Sequence, residues 1–177
     1  MDSTQIERYL GFLGQKLADM QIKVNVILLG GALMVTQLGN RKTTQDIDVV
    51  IATNDRRIYQ AVQQAIMLVA QEKKLPASWL NDDVAIVVDQ VGRPKAPTYW
   101  KSFAFLDVYV PEFEYIFALK CFSGRSQDDR DIQALAQRLR IQTKAQAWSI
   151  VNTYIPPPQL NTRSGYTTQA IDRCFPK

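Results

Sequence analysis

Apolar residues recur at Ile6, Leu10, Leu13, Leu17 and Met20, the three-to-four spacing of a helix that buries one face. Thr4 and Glu7 stand at T-x-x-E spacing at its start, the pattern of a capping box. The period then changes. Val24, Val26 and Leu28 alternate with Asn25, Ile27 and Leu29, which predicts a strand that stops at Gly30-Gly31. Residues 32–38 predict a short helix closed by Gly39-Asn40. Residues 46–52 are rich in β-branched side chains and predict a second strand. Asn54-Asp55 then caps a long helix whose apolar face is Ile58, Val62, Ala65 and Val69.

Pro76 closes that region. Residues 84–88 predict a strand, 92–97 a loop, and 102–110 a further strand on which Phe103, Phe105, Asp107 and Tyr109 share one face. Pro111 opens a helix at the favoured first position, running to about Phe122. Ser126 caps another, with Ile132, Leu135 and Leu139 on one side, and residues 143–154 predict a last clear helix. Pro156-Pro157-Pro158 breaks it. Residues 159–177 are polar and weakly patterned, and read as a strap or arm. Strands interleaved with helices make this an α/β (α+β) chain.

Composition narrows the chemistry. The 177 residues suffice to bury a core without staples. A net charge of +4 permits a nucleotide or RNA partner without arguing for one. The longest apolar stretch is about ten residues and holds two glycines, too short for a bilayer span. With no basic-then-apolar leader and no metal-like spacing of Cys121 and Cys174, the expectation is a cytoplasmic protein with free thiols. Histidine is absent, which removes Ser-His-Asp and Cys-His hydrolases.

The constellation with most chemical content is Gly30-Gly31 followed by Arg41, Thr44, Asp46 and Asp48. On a strand, positions two apart face the same way, about 7 Å apart. Two carboxylates so placed repel each other unless a cation joins them. Magnesium prefers oxygen ligands and bridges the phosphates of a nucleoside triphosphate. A diglycine between strand and helix lets a phosphate approach the backbone. A plain turn and a solvated acidic face are the bland alternatives for each motif taken alone.

Residues 28–50, Leu-Leu-Gly-Gly-Ala-Leu through Arg-Lys-Thr-Thr-Gln-Asp-Ile-Asp, resemble the G-G…R-x-T-x-D-I-D signature of nucleotidyltransferases of the DNA polymerase beta superfamily, in particular the AbiEii toxin-like group. The threonine register is shifted by one, with Thr43 and Thr44 both present. A second block, Lys120 through Arg125, Asp128, Asp131 and Ile132, is similar to the K-L-x-A-x-R-x-x-D-x-x-D-I block of the same group, and Trp79-Leu80-Asn81-Asp82 resembles a loop of its small members. The resemblance implies a nucleotidyltransferase fold, with a mixed β-sheet flanked by helices and a C-terminal helical part. The expected division is a core over residues 1–122 and C-terminal helices and tail over 123–177, packed on the core.

It further implies Mg2+ (or Mn2+) held by Asp46 and Asp48, an NTP substrate, and transfer of a nucleotide to tRNA or another RNA, to a protein or to a small molecule. A toxin–antitoxin or phage-defence role with a cognate antitoxin, and no membrane partner, belongs to the same expectation. Gly30, Gly31, Arg41, Thr44 and Arg125 would bind nucleotide, and Lys120 would face the triphosphate or pair with Asp128 or Asp131. Asp107 is the natural candidate for a third carboxylate, with Asp128 or Asp131 as substitutes. The alternative is a catalytically inactive nucleotidyltransferase-like module that binds nucleic acid or a protein partner, using basic residues such as Arg163, Arg173 and Lys177.

Overall fold

A computed structural model describes residues 1–175, so Lys177 lies outside the described residues. In chain order the elements are α1 (Ser3–Asp19), β1 (Val24–Leu28), α2 (Gly30–Leu33), a π-helical turn (Met34–Leu38), β2 (Ile47–Ile51), α3 (Arg56–Lys73) and β3 (Leu80–Asn81). They continue with α4 (Ala85–Val91), β4 (Thr98–Phe103), β5 (Leu106–Val110), α5 (Phe113–Ser123), a 3-10 turn (Ser126–Asp128), α6 (Asp129–Leu139), α7 (Lys144–Tyr154) and α8 (Pro157–Cys174). The chain is mixed α/β with one five-stranded mixed sheet, and its described helices include none long and apolar enough to cross a membrane. It divides into two compact units. The first holds residues 1–85 and 97–110; the second holds residues 86–96 and, of the described residues, 111–175. The division therefore falls before α5, not after Phe122, and α5 belongs with the C-terminal helices.

The first unit is built on the sheet, in strand order β3-β2-β1-β5-β4. β1 is central, antiparallel to β2 and parallel to β5, and β3 is parallel to β2. One face carries Val24, Val26, Leu28, Ile47, Val49, Ile51, Leu106 and Val108, all buried. α1 lies against β4 and β5 through Ile6, Leu10, Leu13 and Leu17, and against α3 through Lys16–Glu72 (2.6 Å) and Lys73 over the Phe12 ring. The opposite face is more polar and presents Asn25, Asp48, Asp107 and Tyr109.

In the second unit α5 is the centre. Tyr115, Ile116, Phe117, Ala118, Cys121 and Phe122 are buried on nearly every side, with α6, α7 and α8 packed around them. Burial pushes both thiols up, Cys174 to about 11, so neither is an activated nucleophile.

Five local readings change. The first helix is capped by Asp2 with Gln5, two residues earlier than Thr4 with Glu7. Residues 84–88 are not a strand: α4 buries Val88 and Val91 at helical spacing and leaves Ile86 exposed. Residues 102–110 form the two arms of a hairpin, turning at Ala104 (φ +53°) and Phe105, so Phe103 and Phe105 do not share a strand face with Asp107. Pro111 precedes the cap residue Glu112 instead of opening α5. The polar tail is helical, as α8, with a kink at Arg163 (φ −127°): Pro157 and Pro158 occupy its first positions, and Thr167, Ala170 and Ile171 are buried.

The approach of α1 to β4 requires a missing side chain. A Cβ on Gly14 would overlap the Phe103 carbonyl, which is backbone and cannot swing aside. Gly14→Ala is expected to lower stability by at least about 1–3 kcal/mol, the usual cost of overpacking, measured as the urea unfolding midpoint. An unchanged midpoint would mean that α1 does not sit this close to the sheet.

Candidate functional site

The site grows from the end of β1. Leu29 donates to the Asp48 carbonyl (2.9 Å), which carries the β1–β2 ladder one step beyond the strand and places position 29 level with 48. The chain must then turn sharply into α2, and Gly30 takes φ +58°, a left-handed backbone that disfavours any side chain. The space a side chain would need is also filled. A Cβ on Gly30 would overlap the Asp48 carboxylate, and one on Gly31 would overlap the Thr44 hydroxyl and come to 3.7 Å from an Arg41 Nη. The diglycine, Asp48, Thr44 and Arg41 are thus brought into one place. Gly30 and Gly31 begin α2 directly rather than forming a turn ahead of it.

Asp48 is half-buried on β2. Asp46 is also half-buried, but lies in the bend before β2, since the strand starts at Ile47 and not at 46. The loop that carries Arg41 and Thr44 is fixed where the Thr44 N–H donates to the Met1 carbonyl (2.9 Å). On the other side of β2, Ile47 donates to the Trp79 carbonyl (2.8 Å), and Asp48 stands level with Asn81. Asn81 is the neighbour that motif reading undervalued. Its signal was the Trp79-Leu80-Asn81-Asp82 loop, which becomes β3.

Asp107 is not with this group. It stands level with Asn25, whereas Asp48 stands level with Leu29. Four residues of strand separate them, about 13 Å along the sheet. Asp107 instead accepts from the Ser102 hydroxyl (2.6 Å) and pairs with Lys23 (3.1 Å), beside an open cleft of about 430 Å³ lined also by Asn25, Thr53, Ile58 and Tyr109. The Ser102 bond, then Lys23, holds its carboxyl below the ordinary value against the effect of burial. Its expected role as third carboxylate is corrected on this ground. Among the described residues no three acidic, cysteine or histidine side chains gather as a metal cage.

The downstream block lies in the second unit and forms an ion cluster. Lys120, 7% exposed, meets Asp128 (2.8 Å) and Asp131 (2.7 Å), which are 2% and 0% exposed. Ser123 donates to Asp128 (3.1 Å), and Arg125, whose side chain is largely exposed, donates through Nε (3.0 Å). Burial alone would push the Asp128 carboxyl up; Lys120 and then Arg125 outweigh it and hold it below the ordinary value. Lys120 therefore takes the pairing role and spends its charge on two carboxylates. The basic tail residues are also engaged: Arg163 donates to the Ser123 carbonyl (2.9 Å), and Arg173 grips Asp129 with two bonds (2.8 and 2.9 Å).

The donors of the first unit fit a magnesium ion of one kind. Magnesium is usually held by one or two carboxylates with substrate phosphates completing its shell. Asp48, against the diglycine bend, matches that arrangement, with Asp46 one residue ahead of β2 as the second carboxylate; a cage made wholly of protein they do not match. No protein-family model, no curated protein and no solved structure matches the chain.

Removing the cation from the buried cluster leaves two carboxylates without it. Lys120→Met is expected to cost about 3–5 kcal/mol at neutral pH, read from urea unfolding. Asp128 titrates lower in the folded chain than the roughly 3.9 of an unfolded aspartate. Its contribution is thus complete above about pH 4 and is lost as pH falls through the folded value. The gap between wild type and Lys120→Met should shrink below about pH 4; a constant gap would contradict the charge pairing.

Proposed function

We propose that this chain is a nucleotide-binding protein of the nucleotidyltransferase type, taking an NTP with Mg2+ at the Gly30-Gly31 bend and transferring its nucleotide to an RNA, such as tRNA, to a protein or to a small-molecule acceptor. One observation carries the reading: the two glycines have no room for side chains because Asp48 stands against Gly30 and Thr44 against Gly31, with Arg41 in contact range of Gly31. A plain turn needs neither the acid nor the guanidinium there.

In this reading Gly30 and Gly31 leave room for the Asp48 carboxylate and the Thr44 hydroxyl to stand against the bend, and the triphosphate binds beside them. Arg41 and Thr44 offer a guanidinium and a hydroxyl to its oxygens. Asp46 and Asp48 hold the cation. The magnesium, when bound, neutralises charge that develops on the phosphoryl oxygens. The chain's own contribution is positioning, which suits a protein without histidine. The sequence resemblance adds a toxin or phage-defence setting with a cognate antitoxin to the proposal.

A second reading has its own support. With Asp107 about 13 Å along the sheet and no three-acid group among the described residues, general-base help for an acceptor hydroxyl has no evident source in the first unit. A module that binds nucleotide, nucleic acid or a protein partner without transfer fits that absence.

Labelled NTPs, Mg2+ and a tRNA pool separate the two. The protein is expected to bind NTP, and Asp48→Asn to weaken binding beyond the roughly 10–100-fold cost of losing a residue that only supports a metal ligand. Label passing to RNA or protein supports transfer. Binding without transfer to any acceptor supports the second reading. A folded protein that binds no NTP sinks the nucleotide site altogether.

A further inference from the structure

β3 is two residues long, yet it is fastened at both ends. Before it, the buried Trp79 indole donates to the Ile66 carbonyl on α3 (3.1 Å). After it, the Asp82 carboxylate accepts from Tyr59 (2.8 Å) and from Gln63 (3.1 Å), both on α3. The Ile47 N–H adds a bond from β2 to Trp79. So short a strand gains little from its own ladder. These anchors hold two side chains: Leu80, buried beside Ile47, and Asn81, half-buried beside Asp48.

Level residues on neighbouring parallel strands point to the same face, with backbones about 4.8 Å apart. Asn81 therefore stands on the face that carries Asp48. Its amide orientation is set chemically. The Asp83 backbone N–H donates to the Asn81 side chain (3.2 Å), and only the amide oxygen can accept. The amide NH2 is left to donate elsewhere, from an edge strand, beside the aspartate that faces the diglycine bend.

We propose that Asn81 is a positioning residue of the nucleotide site, its amide donating to a phosphoryl or ribose oxygen of the NTP; this rests on the nucleotide reading given above. A carboxamide suits that place because it adds a donor without adding charge. A carboxylate there would be a third acid facing the cation, and a lysine would compete with it.

Two variants of the full chain test this with separate probes. Asn81→Asp keeps the oxygen that accepts from Asp83, so the turn is preserved, and brings a carboxylate to Asp48. Mn2+ titrated without nucleotide should bind this variant about tenfold more tightly than wild type, because ligand charge tunes affinity at such sites. Asn81→Ala should weaken NTP binding about tenfold, as expected for one hydrogen bond to a charged oxygen, while its Mn2+ affinity stays at the wild-type value and its unfolding midpoint falls only slightly, for the lost Asp83 N–H bond. Unchanged Mn2+ affinity in Asn81→Asp would overturn the placement of Asn81 at the cation. Wild-type NTP affinity in Asn81→Ala would overturn its role alone. A wild-type protein that binds Mn2+ but no NTP would overturn the nucleotide reading and the donor role together, with the Mn2+ result on Asn81→Asp still judging the placement.

Discussion

The close approach of the Gly30-Gly31 bend to β2 is the constraint on which the candidate site depends. The antiparallel ladder continues through the Leu29 N–H to the Asp48 carbonyl, so chain and carboxylate are forced together before α2 begins. Any Cβ at position 30 would have to displace that carboxylate, and one at 31 would have to displace Thr44. A larger residue at either place would push those side chains out of the cluster. The hydrogen-bond ladder, the left-handed turn and the clustered polar groups are thus one feature seen three ways.

The two charged blocks of the sequence have different physics. The Asp46–Asp48 region is half-exposed, and the Asp48 carboxylate stands against Gly30 where a side chain would otherwise be. The Lys120–Asp128–Asp131 cluster is almost wholly buried and pairs its charges internally. Burying such a cluster brings little net stability compared with an apolar core, but breaking it is costly. It ties α5 to the start of α6, one ammonium on α5 meeting the two carboxylates at 2.8 and 2.7 Å. Similar motif strength in sequence conceals this difference, which depends on burial.

Much of the layout was legible in the sequence, and the failures have physical causes. α1, α3, α6 and α7 follow from apolar spacing because each buries one face and leaves the other wet, whereas β1 is the central strand and only Asn25 of its residues is exposed. Residues 84–88 misled because a five-residue apolar run has no period to read; the helix there is defined by Val88 and Val91. The hairpin at Ala104-Phe105 has none of the usual glycine or asparagine turn signals, so two strands merged into one. The prolines at 156–158 were read as a stop, although proline also starts helices. In the site, Gly30, Gly31, Thr44, Arg41 and Asp48 were legible as a spaced motif. Asp107 was not, because which end of a strand a residue occupies is set by pairing register, and a single sequence does not carry the register.

That register also bears on chemistry. On β5, the position level with Leu28 is Val110, by extension of the Val24–Leu106 to Ile27–Tyr109 pairing. The nearest residue of β5 on the polar face of the sheet is then Tyr109, not an acid. The first unit therefore offers the proposed cation two carboxylates and, beyond β2, the amide of Asn81 in place of a third. Two acids with a neutral neighbour hold a dication weakly on their own, and hold it well once polyphosphate oxygens fill the remaining positions. An arrangement of that kind makes metal and nucleotide binding mutually dependent, since each completes the ligand set of the other.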